Sequence, residues 1–383
     1  MTQTQTLATK RDRPIIAVMP EPGKPLELLE VPYVEPGPGE LVVEVIQANI
    51  CGSDLHLWRG EMAQGFPRDC VLGHEMVGRI VDIGEEASSD SAGKPLAVGD
   101  TITYRYYEPC GHCLSCARGL YHHCPGSLAS VLRPASKAPR LVGAFATHYL
   151  VTAGRSRFKL PDECTPGIAA GANCALSQVI QGFHEVGLRS DEIVVVQGCG
   201  GLGLYAIAVA KSWGASYVIA IDRSQARCDL ARAFGADSVI DAGSVQDPKE
   251  RTKEVMELTS GWGGDVVVEV VGRASVVPEG IRMVARGGRY LELGSIVPRD
   301  TVSIDISILV GYNRSILGVS LYQDRSLMEA LDFLAKTEAP VHTLVGKTYP
   351  LEEVNEALKA ADALQHEGLS VGRVGITPTG MAE

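Results

Sequence analysis

The sequence predicts a mixed fold: a β-rich first part, then a doubly wound α/β part built on a parallel sheet. Three observations predict it. Residues 1–150 break into short β-forming runs split by Gly and Pro. From about Cys174, continuous apolar strands alternate with helical stretches. A glycine-rich turn, Gly198–Gly203, lies between the first of those strands and the first of those helices.

In the first part the predicted strands are Ile15–Met19, Leu26–Val31, Leu41–Gln47, Met76–Ile83, Thr101–Arg105 and Phe145–Val151. Their alternation suggests an antiparallel, partly closed sheet. Glu85–Ala97 and Ser127–Arg140 lack periodicity and read as loops. In the second part the strands are Ile193–Gln197, Tyr217–Ile221, Val239–Ile240, Asp265–Val270 and Arg289–Leu293, with helices at Leu202–Trp213 and Gln225–Phe234. The pattern ends near Ser315–Val319. Two helices follow, Ser326–Lys336 and Leu351–Ala361, the second with Pro350 at its start. A last strand is expected at Gly372–Ile376.

A chain of 383 residues is long enough for two domains. Its 45% hydrophobic and 21% charged residues are those of a globular protein. With 35 Lys+Arg against 46 Asp+Glu, the net charge is −11. That charge disfavours nucleic acid and anionic membrane surfaces as partners, since both need a basic face. Met1–Arg13 is polar, without the apolar run of a secretory leader, and no stretch is apolar enough to span a membrane. A cytoplasmic protein is expected. In a reducing compartment its ten cysteines would be thiols, so metal ligation is the first reading for any that cluster.

The turn reads Gly198-Cys-Gly-Gly-Leu-Gly203, a G-x-G-x-x-G run in strand–turn–helix context. Gly198 allows the tight turn, Gly200 lets backbone approach a pyrophosphate, and Gly203 lets helix pack on strand. Amides at the helix start, at Gly201 and Leu202, offer donors and partial positive charge to phosphates. A second strand ends at Asp222, where a carboxylate can accept bonds from the adenosine ribose hydroxyls. A 2′-phosphate would meet that carboxylate, so NAD is expected over NADP; Arg223 beside it offers a phosphate some welcome.

Cys110-x2-Cys113-x2-Cys116-x7-Cys124 is the most specific short signal. Four thiolates at this spacing can close a tetrahedron around one zinc, leaving no open position, so the role is structural. An iron–sulfur cluster uses similar spacing, but nothing else suggests a one-electron carrier. His112, His122 and His123 in the same lobe read as exposed loop residues. Cys70, Cys164, Cys199 and Cys228 read as small buried side chains.

Three pieces remain: Cys51-Gly-Ser-Asp-Leu-His56, Gly73-His-Glu75, and Cys174 in Asn173-Cys-Ala-Leu-Ser177. Cys51, His74 and Cys174 would form a Cys₂His zinc with a fourth position open, a ligand set for which alcohol dehydrogenase is the standard example. With the four-cysteine lobe and Gly198–Gly203, these motifs resemble the zinc-containing alcohol and polyol dehydrogenases of the medium-chain dehydrogenase/reductase superfamily. The resemblance runs from about Ile15 to Ile376.

It implies a GroES-like β catalytic domain, residues 1–174 and 319–383, interrupted by a Rossmann domain, residues 175–318. It implies two zinc ions per subunit and NAD. Glu75 would stand beside the catalytic zinc as an alternating or outer ligand, and Asp54 would orient His74. Ser53 would take the substrate hydroxyl proton and pass it through the cofactor ribose towards His56. Arg373 matches a pyrophosphate-binding arginine of the family, and Arg227 a basic residue near the adenosine ribose. Trp58 and Tyr106 would line the substrate pocket. The implied reaction is reversible NAD-linked oxidation of an alcohol, through zinc-bound alkoxide and hydride transfer, to a ketone or aldehyde.

Two departures stand out. Polyol members carry Glu where Cys174 stands, so Cys174 favours the alcohol-dehydrogenase ligand set. Gly52 occupies the place where classical members carry a pyrophosphate-binding Arg. Trp58 and Tyr106 suggest a bulky or cyclic secondary alcohol; Cys51–Gly60 also looks like members acting on specialised compounds, phosphonates included. Arg59 and Arg105 could serve an anionic group, but a structural role is the plainer reading. The rival readings are a zinc-free reductase on the same fold and a binding protein that has lost its chemistry. The family implies a homodimer or homotetramer, for which Thr301–Leu309 was the β-rich run expected to pair.

Overall fold

A computed structural model describes residues 13–62, 69–131, 133–138, 140–367 and 372–379. Met1–Arg13 therefore lies, save its last residue, outside the described residues. Two large sheets organise the rest.

The second part of the chain holds six parallel strands. Their spatial order is Ser238–Asp241, Tyr217–Asp222, Ile193–Gln197, Gly264–Glu269, Val284–Glu292 and Ser315–Gly318. Ile193–Gln197 sits between its neighbours in sequence and space because its Ile-Val-Val-Val run is buried on both faces. The order reverses beside this strand, which opens a crevice at the carboxyl ends of the sheet. Helix Gly201–Ser212 covers one face with Leu204–Ala210 all buried. Helix Pro248–Leu258 starts with Pro248, and Asp247 accepts the Lys249 N–H as its cap (2.9 Å). This is the doubly wound architecture the sequence predicts.

The first part forms a seven-stranded sheet. Along it run Val345–Pro350, Arg373–Thr377, Leu41–Asn49, Glu75–Ile83, Thr101–Tyr104 and Arg157–Lys159, with His148–Val151 also paired to Leu41–Asn49. Pairing is antiparallel except between Val345–Pro350 and Arg373–Thr377. The C-terminal strands thus return to the first sheet after the parallel one is complete. A smaller sheet joins Glu27–Glu30, Ile15–Met19 and Cys70–Val71. The β core gathers Val43, Val45, Met76, Ile80, Ile102 and Phe145.

Several local expectations change. Gly52–Trp58 is a helix, too short for its period to register in sequence. Val345–Pro350 is an edge strand, exposed and without apolar alternation. Pro350 ends that strand instead of opening a helix; a 3₁₀ turn, Leu351–Glu353, leads into helix Val354–Glu367. Thr301–Leu309 is not a strand: residues 301–306 are irregular and Ser307–Val310 is a short helix. The strand on that flank is Ser315–Gly318. No helix among the described residues is long and apolar enough to cross a membrane.

Glu192 ties the parallel sheet together just before its central strand. It accepts two bonds from Arg289 (3.0 and 2.6 Å) and three from Arg189, one from its backbone N–H (3.0 Å) and two from its guanidinium (3.0 and 2.7 Å). Burial pushes its pKa up, but the two arginines outweigh this and hold it down at about 2, against an ordinary 4.5. A depressed carboxyl stabilises the fold above its unfolded pKa and loses that contribution as pH falls through its folded value. Replacing Glu192 by Gln is expected to cost about 2–3 kcal/mol above pH ~5. Thermal unfolding of the two proteins from pH 7 to 2.5 should show this gap narrowing below pH ~4.5.

Candidate active site

Strand register builds the site. Asn49 pairs with Glu75 on one side and with Gly375 on the other, both antiparallel. Continuing each ladder puts Cys51 opposite Gly73 and opposite Arg373. The Ile50 N–H still donates to the Val374 carbonyl (2.9 Å). Gly73 has φ +88°, and a Cβ there would lie 2.5 Å from the Phe145 ring, so the turn before His74 requires glycine. Cys174 arrives from elsewhere, on a π-helical turn, Ala172–Leu176, ahead of helix Ser177–Val186.

Ligand atoms of Cys51, His74, Glu75 and Cys174 all lie within 4.8 Å of one another, and all four residues are buried. Asp54 holds two of them. Its carboxylate accepts the Cys51 N–H (2.9 Å), the Gly73 N–H (3.1 Å) and His74 Nδ1 (3.3 Å). With Nδ1 donating to Asp54, the neutral imidazole leaves Nε2 bare, the nitrogen a metal would take. The Ser53 hydroxyl stands 3.3 Å from that same Nε2. A hydrogen bond between Cys174 and Cys51 brings the Cys51 thiol well down and pushes that of Cys174 up. Burial works against a charged His74, yet Asp54 and Cys51 raise its pKa well above the ordinary value. Two sulfurs and one imidazole nitrogen, buried and mutually polarised, are a donor set that fits zinc.

Glu75 is fully buried and forms an ion pair with Arg373 through one oxygen; its other oxygen, Oε1, has no hydrogen-bond partner. Burial pushes its carboxyl up to about 7 although Arg373 pulls the other way. Arg373 also lines a cleft of about 650 Å³ beside Gly198, Gly200, Gly201 and Leu202. One arginine therefore touches both the dinucleotide turn's cleft and the buried cluster. Gly52 lines the cleft as well.

At the far end Asp222 accepts the Cys199 N–H (2.7 Å) and the Ser224 N–H (2.9 Å). Arg227 stands 4.0 Å from Asp222 and donates to the Leu364 carbonyl (3.0 Å). Gly203 is packed on the first turn: a Cβ there would meet the Gly198 carbonyl at 1.9 Å.

Tyr106 lies over His74, ring centres 4.9 Å apart, with Tyr107 at 5.6 Å and Tyr322 at 6.1 Å from it. Trp58, the other residue expected at the pocket, donates its indole N–H to the Lys24 carbonyl (3.1 Å) and packs on the same β core as Tyr106. His56 pairs through Nδ1 with Glu61, a partner five residues on that no motif announces. Arg59 is paired with Asp362, and buried Arg105 with Asp324 (2.8 Å), so both are structural.

The second cluster is the lobe. Cys110, Cys113, Cys116 and Cys124 also bring their sulfurs within 4.8 Å of one another. Sulfur pairs Cys113–Cys116 and Cys110–Cys116 are 3.5 and 4.0 Å apart. A zinc–sulfur distance of 2.3 Å gives a tetrahedral edge of about 3.8 Å, so the lobe fits that ion. Burial opposes a thiolate at Cys124, but the Cys110 and Gly126 N–H groups outweigh it and bring the thiol down to about 6. His122 is not exposed as expected; it is buried, 3.7 Å from Glu185 of helix Ser177–Val186.

A glycine-turn cleft joined through Arg373 to a buried cysteine–histidine cluster defines a class, the metal-dependent nicotinamide oxidoreductases. Known proteins agree. Residues 37–162 match the family model of the alcohol dehydrogenase GroES-like domain, and residues 201–336 that of the zinc-binding dehydrogenases. The 5-exo-hydroxycamphor dehydrogenase of Pseudomonas putida is 33% identical over 91% of this chain and 95% of its own. The erythritol/L-threitol dehydrogenase of Mycolicibacterium smegmatis is 31% identical over 86% and 90%. An alcohol dehydrogenase from Thermotoga maritima superposes with a TM-score of 0.87 at 29% identity, covering 96% of this chain and 99% of that one. This chain belongs to the zinc-containing alcohol dehydrogenases of the medium-chain dehydrogenase/reductase superfamily. It is an oxidoreductase, and its family uses zinc and a nicotinamide dinucleotide.

The Gly203 contact yields a direct test. Gly203→Ala is expected to weaken binding of the reduced nicotinamide dinucleotide at least ~10-fold and to destabilise the fold by about 2 kcal/mol through overpacking. Fluorescence titration and thermal unfolding would read the two effects.

Proposed function

We propose that this enzyme oxidises a secondary alcohol, bulky or cyclic, to its ketone with NAD, reversibly, and carries one catalytic and one structural zinc per subunit. The observation that carries the reading is the meeting of Cys51, His74 and Cys174 in one buried cluster, tied through the Glu75–Arg373 pair to the cleft headed by Gly198–Gly203. Zinc bound there would supply a Lewis acid to the substrate oxygen. Cys110, Cys113, Cys116 and Cys124 would hold the structural ion.

This chain's residues do the rest. Ser53 accepts the substrate hydroxyl proton, and His56, held by Glu61, receives it on the way to solvent. Asp54 keeps His74 in the tautomer that leaves Nε2 bare. Glu75 balances Arg373, whose guanidinium in the cleft is the cation for the pyrophosphate; Gly52 cannot serve. Asp222 takes the ribose hydroxyls and turns away a 2′-phosphate, with Arg227 beside it. Tyr106, backed by Tyr107 and Tyr322, gives the substrate an apolar wall. The relative named for 5-exo-hydroxycamphor, a bicyclic secondary alcohol, supports that size and shape. The relative named for erythritol and threitol keeps a polyol as the second reading.

We place the catalytic domain at residues 1–174 and 319–383 and the Rossmann domain at 175–318, since Ser315–Gly318 closes the parallel sheet. A homodimer or tetramer would pair through that edge strand, where Ile306, Val310, Tyr312 and Ile316 are exposed. None of the ten cysteines is disulfide-bonded, which supports a reducing, cytoplasmic setting.

Initial rates on cyclic, aliphatic, polyol and phosphonate alcohols, each with NAD and NADP, test the substrate and cofactor reading. A preference for polyols or for NADP would overturn it. Elemental analysis should find two zinc ions per chain, falling to one in Cys51→Ala; that variant should lose ~10³-fold or more in kcat/KM. A zinc-free active protein would instead be a reductase of the same fold. Ser53→Ala is expected to lower kcat by about 10²–10⁴-fold. Tyr106→Ala should cost about 10–200-fold in kcat/KM on a cyclic alcohol and much less on a short linear one.

A further inference from the structure

The residue before Cys174 does something that neither zinc ligation nor cofactor binding explains. Asn173 is fully buried, on the π-helical turn Ala172–Leu176. Its side-chain amide reaches out of that turn into the sheet that carries His74. Nδ2 donates to the His74 carbonyl (3.2 Å) and to the Tyr104 carbonyl (2.9 Å). Oδ1 accepts the Met76 N–H (3.2 Å). Two carbonyls on one side and an N–H on the other leave only one orientation for the amide. Both of its N–H groups and its oxygen are engaged. The Asn173 main-chain carbonyl accepts the Tyr322 hydroxyl, which fastens the turn from the opposite direction.

The placement matters because of what it brackets. His74 and Met76 flank Glu75, so one amide grips the backbone on either side of the cluster's acid. The same residue is the immediate neighbour of Cys174. Cys51 and His74 are already set against each other by strand register and by Asp54. Cys174 comes from a separate segment with no ladder to that sheet. The amide of Asn173 is the direct polar link between the Cys174 turn and the His74 strand.

We propose that Asn173 is a positioning residue that presets the distance between Cys174 and His74, and so governs how firmly the catalytic metal is retained. The proposal rests on the reading that Cys51, His74 and Cys174 hold zinc. A buried amide in an apolar core is costly unless all its bonds are made, and here all are made across the one junction that ligand geometry depends on. Groups that orient metal ligands from behind are worth about 10–100-fold in metal affinity.

The second cluster makes the test self-controlled, because the Cys110–Cys124 lobe is a zinc site that Asn173 does not touch. Zinc release from purified holoprotein to a chromogenic chelator is followed in wild type, Asn173→Asp and Asn173→Leu. Asp keeps the shape and the acceptor but loses both donations; Leu keeps the volume and loses all three bonds. One zinc is expected to leave about 10–100-fold faster in each variant while the other leaves at the wild-type rate. The cobalt-substituted variants should also show altered d–d absorption from one site only. Wild-type release of both ions from the folded variants would overturn the role. Equal acceleration of both would also overturn it, since that is general loosening. A wild-type protein with a single zinc, in the lobe, would overturn the reading of the cluster itself and this inference with it.

Discussion

The pairing of one strand, Leu41–Asn49, is the constraint on which the rest of the molecule depends. It has Glu75–Ile83 on one side and Arg373–Thr377 on the other, in register at Asn49. Because side chains in a strand follow a period of two, a slip of one residue would turn every member of the row to the other face. Held as it is, the register sets Cys51 beside His74 and Arg373 beside Glu75. The strand is buried along nearly its whole length, which gives the hydrophobic effect strong leverage over that register.

The second consequence is that a charged pair stands beside the apolar core the two parts of the chain share, in which Val77, Phe158 and Leu160 join Val196, Val268 and Leu291. Arg373 is an arginine of the C-terminal strand, yet it pairs with an acid of the N-terminal segment and lines the dinucleotide cleft. Burial would lower its pKa, but Glu75 and Cys51 outweigh that and the net shift is upward, so the cation is secure. A buried ion pair of this kind is poor value for stability alone. Its worth is positional, because it fixes a guanidinium at the cleft, where the proposed pyrophosphate would lie, and sets a cation against an acid beside two thiols.

The aromatic wall shows how a site can use what local chemistry hides. Tyr106 is named by the family resemblance, but Tyr322 lies more than two hundred residues on and meets it where helix Asp324–Lys336 packs on helix Ser177–Val186. Trp58 carries an equal expectation; its indole is bonded to the Lys24 carbonyl, and its side chain packs on the same β core as Tyr106. Glu61 and Asn173 are likewise ordinary in sequence. Each gains its place only from a neighbour supplied by another segment or by the end of a short helix.

The sequence alone determined the parallel sheet, the glycine turn with Asp222, and both cysteine-bearing clusters. Most of those signals are local: a run of β-branched residues, a spacing of two between cysteines, glycines at fixed offsets; Cys51, His74 and Cys174 stand far apart and are joined by the family resemblance. Tertiary structure decided the rest. It chose the partners of Arg373 and Glu75, the occupant of the ring site over His74, the strand Val345–Pro350, and the irregular path through residues 301–306. The physical reason is that these depend on strand register and on burial against distant segments, which no local period encodes.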